Sequence, residues 1–148
     1  MSMTMSERQE IIMNFGTAPS LDDILTIARS VVNVLPDELV ELAENLELDV
    51  QDFPDEVTEM EQNLDDPYDL LSLYNSAKEV APGIEKKDAE GSDLLVLYRR
   101  PILDYWCENG EQFEVTVRQI VIEEIASQGD FTDEEVDDMI NRHHQGVL

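Results

Sequence analysis

The chain has 148 residues, long enough for one domain with its own core, and 42% of them are hydrophobic. Its 35 acids against 9 lysines and arginines leave a formal net charge of −26 at pH 7. Such a chain repels nucleic acid and anionic lipid surfaces, and is either simply well solvated or suited to a basic protein partner. The single cysteine, Cys107, excludes an intrachain disulfide, and together with the lack of a basic, apolar leader in the first residues it sets the expectation of a cytoplasmic protein. No run of about 18 apolar residues offers a membrane span.

In chain order, residues 1–19 read as a flexible N-terminal tail with a short helical piece at 7–15. The main domain is expected over 20–142, followed by a C-terminal tail at 143–148. Ser20 stands at an N-cap position, with Asp22 and Asp23 in the first turn, and Leu21, Ile24, Leu25, Ala28, Val31 and Val32 make the apolar stripe of a first helix. Pro36 is placed to start a second helix whose inner face is Leu39, Leu42, Ala43 and Leu46. Residues 46–51 (LELDVQ) alternate as a strand with one wet face. An acidic helix is expected at 55–63, a turn at 65–67, a short strand at 70–74 and a loop at 81–91 that gathers lysines. The most β-like run is 93–98. Pro101 then opens a helix through Cys107, which Asn109-Gly110 breaks. A helix over about 111–128 follows, and a last one runs from a cap at Asp133 to about Arg142.

The helix over 111–128 carries the chemistry of interest. Val117, Ile120, Val121, Glu124 and Gln128 share one side, and Ile122 and Ile125 make the other side apolar, so the helix belongs in a core. Yet two adjacent acids, Glu123 and Glu124, sit in its middle. A buried carboxylate needs a partner or has its pKa raised. Of the arginines, Arg99 and Arg100 are the expected partners, with Glu124 the expected recipient. Gly129 is read as a left-handed cap closing this helix.

The stretch 123–133, Glu-Glu-Ile-Ala-Ser-Gln-Gly-Asp-Phe-Thr-Asp, resembles the His-Glu-x-x-His-x-x-Gly-x-x-Asp motif of the minimal zincin-like metallopeptidases of bacteria. The segments 34–39 (VLPDEL), 65–74 (DDPYDLLSLY) and 94–99 (LLVLYR) look like that family's other landmarks in its order, so that the resemblance spans about 27–140. It implies an α+β domain of minimal zincin-like fold, a small mixed sheet packed with about five helices. It also implies that Glu124 occupies the general-base position, that Glu123 and Ser127 occupy the two histidine positions, and that Asp133 occupies the third-ligand position. Zinc is the family's metal. Imidazole nitrogens at i and i+4 bind it, and the intervening glutamate activates its water. With both imidazoles replaced, the expectation is no metal and no peptidase activity: a pseudo-enzyme with a binding or regulatory role.

Two other readings remain open on the sequence. One is an unusual metal-dependent peptidase with Glu123 and Asp133 as ligands and Glu124 as base. The other is an acidic interaction protein that mimics nucleic acid, because no lysine or arginine lies between Arg29 and Lys78 or from 119 to 141. A Cys107–His143 or Cys107–His144 pair, and Tyr98, Tyr105 and Trp106 as a binding platform, are weaker candidates. The two histidines are expected in a solvated tail and the aromatics in the core and its rim.

Overall fold

The computed structural model describes residues 17–76 and 92–146. The helical piece expected at 7–15, most of the N-terminal tail and the lysine-bearing loop at 81–91 lie outside the described residues. The elements in order are α1 (Leu21–Asn33), α2 (Asp37–Val40), β1 (Leu46–Gln51), α3 (Glu56–Glu61), a 3-10 turn (Pro67–Asp69), β2 (Ser72–Asn75), β3 (Asp93–Tyr98), α4 (Arg99–Asn109), α5 (Phe113–Ala126) and α6 (Asp133–Gly146). The expected class is the observed one, with six α-helices among the described residues in place of about five.

The sheet has the order β1-β3-β2. β3 runs parallel to β1, Leu46 opposite Asp93 and Gln51 opposite Tyr98, and antiparallel to β2, Ser72 opposite Leu97. The sequence patterns explain this order. A central strand is covered on both sides, and Leu95, Val96, Leu97 and Tyr98 are all buried. β1 is an edge strand that turns Leu46, Leu48 and Val50 inward and leaves Glu47, Asp49 and Gln51 in water. Within this strand the Asp49 carboxylate accepts a hydrogen bond from the Val50 amide at 3.0 Å.

The helices pack on this sheet through one continuous core built from Ile24, Ala28 and Val31 of α1, Leu39 of α2, Leu95 and Leu97 of β3, Ile102 of α4, and the buried residues of α5. α1 is held at its start by a reciprocal capping box. The Ser20 hydroxyl accepts from the Asp23 amide at 3.1 Å, and the Asp23 carboxylate accepts from the Ser20 amide at 2.9 Å. α3 is capped by the Asp55 carboxylate, which accepts from the Thr58 amide at 2.8 Å and is thereby held below its ordinary pKa.

Several boundaries differ from expectation, each for a local reason. α2 has only four residues. Pro36 is its N-cap, and turns over 41–45 deliver Leu46 straight into β1. α4 starts at Arg99, two residues before Pro101, because a proline in the first turn removes only an amide that has no helical acceptor. α4 ends where expected, on Gly110 in the left-handed region at φ 72°. α6 is capped by Thr132 and not by Asp133. Its hydroxyl accepts from the Glu135 amide at 3.1 Å, and its own amide donates to the Glu135 carboxylate at 2.7 Å. Gly129 is not in the left-handed region; its lack of a side chain leaves room for Phe131 and Leu42. The tail expected at 143–148 begins inside α6, where His143 is buried with Nε2 3.3 Å from the Val31 carbonyl. Among the described residues no helix is long and apolar enough to cross a membrane.

Candidate functional site

α5 is apolar nearly all round because it crosses the middle of the domain, packed against α1, α4, α6 and β2. Thr116, Val117, Arg118, Ile120, Val121, Ile122, Ile125 and Ala126 are buried. Burial weakens the hold of the Arg118 guanidinium on its proton, an effect opposed by the nearby Glu114 carboxylate.

The two central acids lie in different surroundings, as neighbours 100° apart on a helix should. Glu123 is exposed and accepts from the Gln119 side-chain amide one turn earlier at 3.2 Å. Glu124 is half-buried and points at the sheet edge, where the buried Ser72 hydroxyl of β2 donates to its Oε1 at 2.5 Å. The expected arginine partner is therefore replaced by a serine 52 residues away in the chain. Arg99 is occupied elsewhere, donating to the Pro19 carbonyl at 2.7 Å and to Asp52 at 3.2 Å. Arg100 lies over the Phe53 ring, 5.7 Å from its centroid. A hydroxyl suffices because Glu124 is only half-buried, so that water still solvates part of the carboxylate.

Ser127 shares the exposed face of Glu123. Its hydroxyl donates to the Glu124 backbone carbonyl at 2.6 Å and accepts from the Gln128 side chain at 3.2 Å, which ties it into the end of the helix. Asp133 is exposed in the first turn of α6. No three His, Cys, Asp or Glu side chains converge as a metal shell among the described residues. The donor set at the motif positions is a carboxylate, a neutral hydroxyl already engaged with the backbone, and a second carboxylate. These residues do not fit a zincin's zinc, which takes neutral imidazole nitrogens and leaves one position open.

A second partly buried polar pair starts from the same strand, β2. Tyr74 of β2 donates its hydroxyl to Asp93 of β3 at 2.6 Å, with the Leu42 carbonyl 3.3 Å away. Burial first, then the Asp93 carboxylate, pushes the Tyr74 phenol far above its ordinary pKa. Neither pair was anticipated from sequence. The signal for both is the alternation in Ser72-Leu73-Tyr74-Asn75, which puts Ser72 and Tyr74 on one, buried face of the strand.

The weaker candidates separate. Cys107 is exposed on α4, while His143 is buried against α1; the side chain of His144 lies outside the described residues. Tyr98 is buried, and Trp106 packs edge-on against Phe113 at 5.0 Å and donates Nε1 to the Glu111 carbonyl at 2.7 Å, in keeping with core and rim roles.

A small mixed sheet crossed by a buried helix, which hands over through a tight turn to a last helix, is a zincin-type frame, and the comparison with known families agrees. The family model for zincin-like metallopeptidases matches residues 43–142, and the chain belongs to that family. No curated protein matches it. The matched region starts at Ala43, and α1, which lies before it, packs against both α5 and β1 with Ile24 and Ala28 fully buried.

Proposed function

We propose that this chain is a catalytically silent zincin-like protein whose motif helix now serves the fold and a binding role. The observation that carries this reading is the Ser72–Glu124 hydrogen bond. At the general-base position the carboxylate is engaged by a protein hydroxyl at 2.5 Å, and a base must instead reach the proton of a reacting water. The replacement of both imidazoles by Glu123 and Ser127 supports it from the side of the metal. A reducing, cytoplasmic setting suits the exposed free thiol of Cys107.

The test is elemental analysis of untagged protein never exposed to chelator, together with assays on casein and on a mixed peptide library. The expected result is substoichiometric zinc and no cleavage. Stoichiometric zinc, lost together with a peptidase activity on chelation, would overturn the reading. The double substitution Glu123→His/Ser127→His, which leaves Glu124 and Asp133 in place, is expected to bind zinc at micromolar concentration. A folded variant that ignores zinc would mean that Asp133 does not reach the restored site.

A further inference from the structure

The chain carries an apolar groove on the side of the domain formed by the end of α1 and the α2 turn, apart from the motif helix. It encloses about 280 Å³ and is lined by Val32, Asn33, Leu35, Val40, Glu41, Ala43 and Glu44. Its floor is aliphatic, and its rim residues Val40, Glu41 and Glu44 are exposed. Val40 leaves 52% of its surface in water, and the adjoining Val34 leaves 53%. Two exposed valines beside an aliphatic hollow differ from the single scattered apolar residues of an ordinary surface.

The charge around the groove selects its occupant. The lining carries the acids Glu41 and Glu44 and no lysine or arginine, and Arg142 of α6, which reaches α2, is engaged by Glu38 and Asp138 outside that lining. An apolar hollow rimmed by carboxylates matches an apolar anchor side chain flanked by cations. A second copy would bring the same acidic rim and a net charge of −26 against its own kind, and an anionic membrane is repelled for the same reason. We infer that this groove docks a basic amphipathic segment of another protein, which seats an apolar side chain between Val32, Leu35, Val40 and Ala43 and sets lysines or arginines against Glu41 and Glu44. The inference is independent of whether the motif helix is silent.

The probe is a short synthetic peptide of leucine and lysine with helical periodicity, titrated into the full-length chain by fluorescence anisotropy and by amide shifts. Binding is expected to move the amides of Val40, Ala43 and Glu44, and to fall steeply with salt. Val40→Asp, and separately the pair Glu41→Lys/Glu44→Lys, are each expected to weaken it by about ten-fold or more. The pair Glu134→Lys/Asp137→Lys, both exposed on α6 and outside the groove's lining, makes the same change in net charge and is expected to weaken it less than about two-fold. All of these positions are exposed, and circular dichroism verifies that each variant is folded. No binding of the peptide, equal binding of a control peptide with serine for leucine, or a loss from the α6 pair as large as from the groove pair would overturn the inference. Self-association of the free chain that Val40→Asp abolishes would also overturn it, in favour of a second copy.

Discussion

Glu124 shows how a residue can keep its place in a motif while its environment changes its work. Its Oε1 accepts from the Ser72 hydroxyl at 2.5 Å and so joins α5 to the edge strand β2. Hydrogen bonds to a charged group are worth about 1.5–3 kcal/mol, with the lower end appropriate at a half-buried site. Ser72→Ala is therefore expected to cost about 1–2 kcal/mol in urea unfolding. Glu124→Gln keeps an acceptor oxygen on the same atom and is expected to cost less than about 1 kcal/mol. The double substitution Ser72→Ala/Glu124→Ala, in which each single change removes the bond, should be non-additive by about 1 kcal/mol, whereas strict additivity would mean that the two groups do not interact in solution. The other residue-scale device is Arg142, which donates to Glu38 of α2 at 2.6 Å and to Asp138 at 2.9 Å. The Arg142 hydrogen bond holds the Glu38 carboxyl below its ordinary pKa. A depressed carboxyl contributes to stability above its unfolded pKa, and the contribution disappears as pH falls through the folded one. The α2–α6 contact should thus persist at pH 5 and loosen only below about pH 4. A carboxyl NMR titration checks this: the Glu38 midpoint should lie below the ordinary glutamate value and return to it in Arg142→Ala. A midpoint indifferent to Arg142 would mean that the bridge is not formed in solution.

At the scale of elements, the corner between α5 and α6 depends on volume more than on backbone freedom. A Cβ on Gly129 would stand 2.6 Å from Phe131 Cε2 and 3.1 Å from Leu42 Cδ1, closer than carbon atoms pack. Gly129→Ala is expected to cost about 1–3 kcal/mol through displacement of the Phe131 ring. A stability loss below about 0.5 kcal/mol would show that the ring moves freely and that the corner is loosely packed. The sequence made the corner visible but not its cause, because a glycine after a helix looks the same whether it frees a dihedral or makes room. Elements whose signal is local were legible. The alternation of 46–51, the apolar run 93–98, the Ser20 cap and the Asn109-Gly110 stop all lie where their own residues put them. The short α2 was misread because Leu39, Leu42, Ala43 and Leu46 are apolar at helical spacing, but the last of them is claimed by the sheet. The partner of Glu124 was missed for a related reason. The expected partner was an opposite charge, Arg99 or Arg100, and the fold supplied a neutral serine across 52 residues.

The whole molecule is governed by its charge. With a formal −26 over 148 residues, the compact state gathers like charges that the unfolded chain can spread, and self-repulsion opposes folding. The described residues return little of this through specific pairing. The salt bridges of Arg99 to Asp52 and of Arg142 to Glu38 and Asp138 all have solvent-exposed carboxylates, and surface bridges are worth about 0–1 kcal/mol each. Salt acts on the two effects in opposite directions, since screening weakens both the diffuse repulsion and the few attractions. Between roughly 0.01 M and 1 M the screening length falls from about 30 Å to about 3 Å, which removes repulsion across the domain while close pairs are less affected. The urea midpoint is therefore expected to rise from low to high NaCl, by a stability increment on the order of 1 kcal/mol or more. Potassium chloride should give the same rise, since the effect depends on ionic strength and not on the identity of the ion. Lowering the pH towards the sequence isoelectric point near 4.1 should shrink the salt response, because the charge being screened is itself removed. A midpoint that falls with salt at neutral pH would mean that the charge pattern is arranged so that attractions outweigh repulsions, and the acidic surface would then be part of what holds this fold together.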